Sequence, residues 1–229
     1  MRIFGLEKLS LVDYGSYACA VVFTGGCNFR CPFCHNSGLV EQETNELLES
    51  EVLDFLRKRY GLLDAVVVSG GEPTMQADLP DFLAKIKDIG YKVKLDTNGT
   101  NPDMLNYVIH KGLVDYVAMD IKNSFENYPK TTGLKNLNTD NIKHSLEILN
   151  SSNIDYELRT TIVKELHQSD DIKAMAKELK GAKKLYLQQF VDTDSCINRG
   201  LNPVSKEIAS EWKEILSTTI DSVELRGYV

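Results

Sequence analysis

Short apolar runs alternate with longer amphipathic ones along this chain. The runs rich in Val, Ile and Tyr predict strands over Ala18–Thr24, Ala65–Ser69, Tyr91–Thr97, Tyr116–Ile121, Tyr156–Val163 and Leu185–Phe190. The amphipathic stretches between them predict helices near Glu46–Tyr60, Leu79–Ile89, Pro102–His110, Thr139–Asn150 and Asp170–Leu179, then a last helix near Ser205–Ser217 and a short terminal strand, Val223–Leu225. Asn101 before Pro102, and Ser169 before Asp170 and Asp171, suit helix starts. Gly61, Gly90, Gly112 and Gly181 sit where helices should stop. Strand–helix units in series, with no Pro- or Ser-rich linker, predict one α/β domain with a parallel sheet over residues 1–229, its core at 18–190 and a C-terminal helix and tail at 191–229. The units are too few for an eightfold barrel, which leaves a doubly wound or a barrel-like sheet.

Composition narrows the function. The 229 residues are 42% hydrophobic and 26% charged, ordinary for a globular chain. A net charge of −7 argues against a protein that coats nucleic acid. No apolar run is long enough for a membrane span, and residues 1–15 lack a secretory pattern, so a cytoplasmic protein is expected.

Of the 5 cysteines, Cys27, Cys31 and Cys34 cluster as C-x3-C-x2-C just after the first strand. Three thiolates on a tight loop suit an iron–sulfur cluster and leave one iron without a protein ligand, a place for chemistry. A Cys3His zinc site using His35 is the alternative, disfavoured because His35 adjoins Cys34. Cys19, in an apolar run, reads as a buried hydrophobe, and no role is expected for Cys196. His110, His144 and His167 read as solvated surface histidines, and Trp212 as core or a modest interface anchor.

The second strand ends in Ser69-Gly70-Gly71-Glu72-Pro73, where two glycines allow close approach of a ligand to the main chain; an ordinary βα turn is the plainer reading. Strand alternation puts Lys94 with Asp96, Ala118 with Asp120 and Lys122, Glu157 with Arg159 and Thr161, and Tyr186 with Gln188 on common faces. Four polar faces in succession point to a polar cleft at the C-terminal ends of parallel strands, where ligands bind.

C-x3-C-x2-C with Phe33 before the last Cys resembles the signature of the radical S-adenosylmethionine (SAM) superfamily. The resemblance implies a partial (β/α)6 TIM-like barrel with a [4Fe–4S] cluster on Cys27, Cys31 and Cys34. The open iron would chelate SAM, and Phe33 would pack near the adenine. One electron would cleave the S–C5′ bond to give a 5′-deoxyadenosyl radical. It further implies that Gly70, Gly71 and Glu72 bind the SAM amino group. LDTNG and MDIK are similar to strand ends of glycyl-radical-enzyme activases, implying SAM contacts for Asp96, Asp120 and Lys122, with Arg159 near the SAM carboxylate or a substrate peptide. Gln188 joins this set by alternation alone. Where some relatives carry a His after the sixth strand, this chain has Phe190-Val191.

LVDYG followed by FTGGCNFRCPFCHN resembles activating proteins of anaerobic (class III) ribonucleotide reductase. The short stretch Asn36 to Glu46 has no Cys, as in single-cluster activases. The implied partners are a glycyl radical enzyme and a flavodoxin or ferredoxin donor. Pyruvate formate-lyase as partner, a small-molecule substrate, and a non-catalytic metal-binding module are the rivals.

Overall fold

The computed structural model describes residues 1–41 and 45–228. The strands are β1 (Ile3–Ser10), β2 (Cys19–Thr24), β3 (Ala65–Gly70), β4 (Lys92–Thr97), β5 (Tyr116–Asp120), β6 (Asp155–Ile162), β7 (Leu185–Gln189) and β8 (Val223–Arg226), and their order in the sheet is their order in the chain. The helices are α1 (Ser37–Glu41), α2 (Glu49–Arg59), α3 (Leu79–Ile89), α4 (Pro102–His110), α5 (Tyr128–Thr132), α6 (Asp140–Ser151), α7 (Ser169–Glu178) and α8 (Lys206–Leu216). Two compact units emerge, each discontinuous in sequence: residues 1–28, 38–118 and 153–155, and residues 29–37, 119–152 and 156–229.

In the first unit β2, β3 and β4 run parallel, and β1 lies antiparallel to β2. The three parallel strands are buried along most of their length, β2 and β3 as near-continuous apolar runs and β4 with polar residues on one face. Tyr14, Cys19, Val21, Ala65 and Val67 form a core cluster against which Tyr17, Phe23 and Tyr116 pack. One residue of the polar faces is drawn into this packing. Lys94 is 3% exposed, its ammonium donating to the Asp13 carbonyl at 2.7 Å and lying 5.6 Å from the Tyr116 ring centre. The ammonium also lies 3.9 Å from Asp96 Oδ1, on the face the two residues share. At the helix ends, the Asn101 side chain caps α4 by accepting from Met104 N, and Gly90 stops α3 at φ 110°.

In the second unit β6, β7 and β8 are parallel, with Arg159 in register with Tyr186 and Gln188 with both Thr161 and Arg226. Ser169 does not cap α7 as expected. Gln168 is the N-cap, its N–H donating to Asp171 Oδ2 at 2.8 Å, while Ser169 Oγ accepts from Trp212 Nε1 at 3.2 Å. Trp212 is therefore core, tying α8 to the start of α7.

Candidate active site

The first half of the cysteine loop belongs to the first unit, where backbone bonds fix it. Gly26 N donates to Leu39 O (2.9 Å), Glu72 N to Gly26 O (2.8 Å) and Gly71 N to Thr24 O (2.9 Å). The approach is close enough that a Cβ on Gly71 would lie 1.8 Å from Gly26 O, and one on Gly70, at φ 117°, 2.3 Å from Thr24 N. The side-chain faces of these two glycines are thus filled by the chain that leads into Cys27, a close approach of main chain to main chain that a side chain would block.

Glu72 is 1% exposed and turned inward. Its Oε1 accepts from Thr74 N, Thr74 Oγ1 and Thr97 Oγ1, and its Oε2 from Asn98 N. Burial pushes its carboxyl up from the ordinary range, against these four donors. The side chain joins the ends of β3 and β4. Glu72→Gln sets an amide N–H against donors that now share an acceptor; a loss of about 1–3 kcal/mol is expected in urea unfolding.

Cys27 lies against a ring of three polar side chains that sequence reasoning missed. Asn98 Nδ2 donates to Asn28 Oδ1, Asn28 Nδ2 to Thr100 Oγ1, and Thr100 Oγ1 to Asn98 Oδ1, all within 2.7–2.8 Å. Asn98 Nδ2 is also 4.0 Å from Cys27 Sγ. The Asn98-Gly99 turn was legible, but its link to Asn28, 70 residues away, was not. Asp96, mostly buried, accepts from Ser69 Oγ at 3.0 Å.

The second half of the loop belongs to the second unit. Phe29 is buried, its ring centre 6.4 Å from that of Tyr128. Arg30 N donates to Thr132 O at 2.9 Å. Cys34 N closes a turn onto Cys31 O at 3.0 Å. The segment after β7 supports this turn from behind: Asn198 N donates to Pro32 O, Ile197 N to Cys34 O, and Ser37 Oγ to Ser195 O. His35 Nε2 donates to Val191 O at 2.7 Å, its ring 5.7 Å from that of Phe190. His35 is a tie to Phe190-Val191. Cys196 is buried beside Thr193.

Asp120 and Lys122, set on one face by alternation, meet Arg159 of the next strand. Asp120 Oδ2 accepts from Lys122 Nζ and Oδ1 from Arg159 Nε, both at 2.9 Å. Burial alone would raise the Asp120 carboxyl, but the Arg159 guanidinium and Lys122 ammonium outweigh it and hold it down to about 2. Burial opposes the charge on Lys122, and Asp120 more than restores it, so that ammonium stays protonated. Lys122 Nζ also stands 5.9 Å from the Phe33 ring centre. Gln188 lies half-buried on β7, in register with Thr161.

One expectation fails. His110 and His144 are exposed, but His167 is 1% exposed and makes hydrogen bonds on both ring nitrogens. It lies in a turn after β6, where no periodicity marks burial.

All five cysteines are thiols rather than disulfides. Among the described residues, no three His, Cys, Asp or Glu side chains converge on a single ion. A cubane takes one thiolate per iron and needs no such convergence. The donor set of Cys27, Cys31 and Cys34 suits it, and a carboxylate between two cations suits the amino and carboxylate groups of an amino acid.

The α/β architecture carries a three-thiol loop after its first parallel strand. Residues 21–184 match the Radical SAM superfamily, and the chain belongs to it. It is a radical SAM enzyme, and its cofactors are the [4Fe–4S] cluster and SAM that this superfamily uses. It is 35% identical to a Methanocaldococcus jannaschii protein named as a glycyl-radical enzyme activating enzyme, over 98% of this chain and 95% of that protein. A second such protein of that organism is 30% identical over 78% of this chain and 69% of its own length. Streptococcus suis SuiB bound to S-adenosylmethionine superposes with a TM-score of 0.70 at 13% identity, over 90% of this chain and 50% of SuiB. The chain spans about half of that solved protein, and the likeness shows the fold: α/β, of the partial (β/α)6 TIM-like, radical SAM type. No helix among the described residues is long and apolar enough to cross a membrane.

Proposed function

We propose that this chain is a glycyl-radical-enzyme activase whose partner is anaerobic ribonucleotide reductase. The observation that carries the activase reading is likeness along nearly the whole length of a glycyl-radical enzyme activating enzyme, with the three-thiol loop intact. Cys27, Cys31 and Cys34 hold the cluster and leave its fourth iron to SAM. When bound, cluster and SAM supply a primary carbon radical able to take a hydrogen atom from a glycine α-carbon. Phe33 flanks the adenine. The Gly70-Gly71 main chain and Asp96 are read as contacts of the SAM ammonium, and Asp120, Lys122, Arg159 and Gln188 as contacts of its polar groups. Glu72 serves the site indirectly, by fixing the Gly71 turn and the Asn98 turn together. A cytoplasmic setting, where thiols stay reduced, suits the loop, and flavodoxin or ferredoxin supplies the electron.

The test is a partner assay. Anaerobic protein, SAM and reductant are mixed with ribonucleotide reductase or with pyruvate formate-lyase, and the glycyl radical is read by EPR. A radical on the reductase alone is expected. A radical on the lyase alone changes the partner, and deoxyadenosine formation with no radical on either favours a small-molecule substrate.

A further inference from the structure

Lys122 lies just past the end of β5, where the last sheet-like bond is Ile121 N to Arg159 O at 2.8 Å. Its carbonyl has gone beyond the ladder, yet it is fixed. His167 Nε2 stands 2.9 Å from Lys122 O, and His167 Nδ1 lies 3.1 Å from Val163 N. Only an acceptor at Nδ1 satisfies the Val163 N–H, and only a proton at Nε2 satisfies the Lys122 carbonyl. Nδ1 also lies 3.2 Å from Val163 O, but a proton placed there would leave the shorter contact to Lys122 as two facing lone pairs.

The imidazole is buried, and burial favours its neutral form, against the two backbone bonds. The chain on either side is braced in the same way. Asn123 Nδ2 donates to Leu166 O (2.9 Å) and Thr131 Oγ1 (2.8 Å), and Ser124 Oγ donates to Asp171 Oδ1 (2.9 Å). The exit of β5 is thereby laced to the exit of β6 by buried polar groups.

We propose that His167 is a positioning residue of the SAM site: it clamps the Lys122 carbonyl to the end of β6 and so sets where the Lys122 ammonium stands. The side chain of Lys122 is held by Asp120 and its backbone by His167, so the ammonium is fixed from both ends. The inference rests on the proposed function only in taking Lys122 as a SAM contact.

The experiment compares SAM dissociation constants and iron content for reconstituted wild type, His167→Ala, His167→Gln and His167→Asn, with imidazole 15N shifts of the wild-type apoprotein. A Gln amide nitrogen reaches about as far as Nε2 and keeps the donor toward Lys122 O. The Asn amide reaches only as far as Nδ1 and keeps the contact with Val163 alone. His167→Ala and His167→Asn are expected to weaken SAM binding at least about tenfold at unchanged iron content, and Gln to recover most of the loss. The 15N shifts are expected to show the Nε2–H tautomer. A dissociation constant in His167→Ala within about twofold of wild type, equal behaviour of Gln and Asn, or an Nδ1–H tautomer overturns the proposal. Wild type that carries its cluster and binds no SAM sinks the reading of Lys122 itself, a different failure.

Discussion

Gly71→Ala will leave the protein with little or no cluster, nearly as completely as Cys31→Ala, although Gly71 is no ligand. The added methyl would sit 1.8 Å from Gly26 O and 2.5 Å from its carbonyl carbon, both backbone atoms that cannot rotate away. Relief requires the Gly71 turn and the Gly25-Gly26 segment to separate. That breaks Glu72 N to Gly26 O and Gly71 N to Thr24 O, the bonds that place the residue just before Cys27. Overpacking costs typically about 1–3 kcal/mol, and a clash of backbone with backbone belongs at the upper end. Because Glu72 hangs from the same turn, its four acceptor contacts loosen too. Iron per chain after reconstitution should fall to the level of Cys31→Ala, with a melting temperature lower by about 5 °C or more. Full iron content in Gly71→Ala would show that the two turns separate without consequence for the ligands.

Asp120→Asn is the second large effect. The substitution keeps the shape and removes the carboxylate that Lys122 and Arg159 share, setting an amide against both cations in a largely buried place. Removing one partner of a fully buried ion pair costs about 3–5 kcal/mol; this carboxylate keeps some exposure, so roughly 2–3 kcal/mol is expected.

The pH dependence has a definite sign. The carboxyl is held down to about 2 in the folded chain, below its unfolded value. Its contribution is therefore complete above the unfolded pKa of about 4 and is lost as pH falls through the folded one. Between about pH 4 and pH 2 wild type should lose about 2 kcal/mol that Asp120→Asn never had, so the two unfolding curves converge on acidification. A gap that stays constant down to pH 2 would mean that the pair does not hold this carboxyl down. SAM affinity should fall at least about tenfold in the same variant, since both cations lose their aim.

Much of this was legible before any coordinates. The bounds of α3 and α4 follow from the sequence to the residue, because Pro80 and Pro102 mark their first turns and apolar periodicity does the rest. The parallel strands agree within one residue at each end, being short runs with a buried apolar face between turn-forming segments. β1 was missed: Gly5 interrupts it, and its second half, Glu7 to Leu9, is exposed and shows no alternation. α5 spans 5 residues, too few for a helical period to register.

In the site, spacing marked the cysteine loop, alternation set Asp120 and Lys122 on one face, and the succession of polar faces pointed Arg159 of the next strand toward them. Pairings across long stretches of chain were invisible. Asn28 with Asn98, Gly71 with Gly26, and His167 with Lys122 each join loops whose local sequence carries no signal of the other. At Gly70-Gly71 the sequence shows that a close approach is allowed, but not that the chain leading into Cys27 is what fills the side-chain faces.

The central claim is that Cys27, Cys31 and Cys34 carry a cluster that works on SAM. Its direct test is anaerobic reconstitution with iron and sulfide, reduction with dithionite, and EPR with and without SAM alongside a 5′-deoxyadenosine assay. A reduced [4Fe–4S] signal that SAM perturbs, with deoxyadenosine formed by wild type and not by Cys31→Ala, is the predicted result. Retained zinc with no iron signal and no deoxyadenosine, or a Cys31→Ala protein that loads its cluster and cleaves SAM, would contradict it.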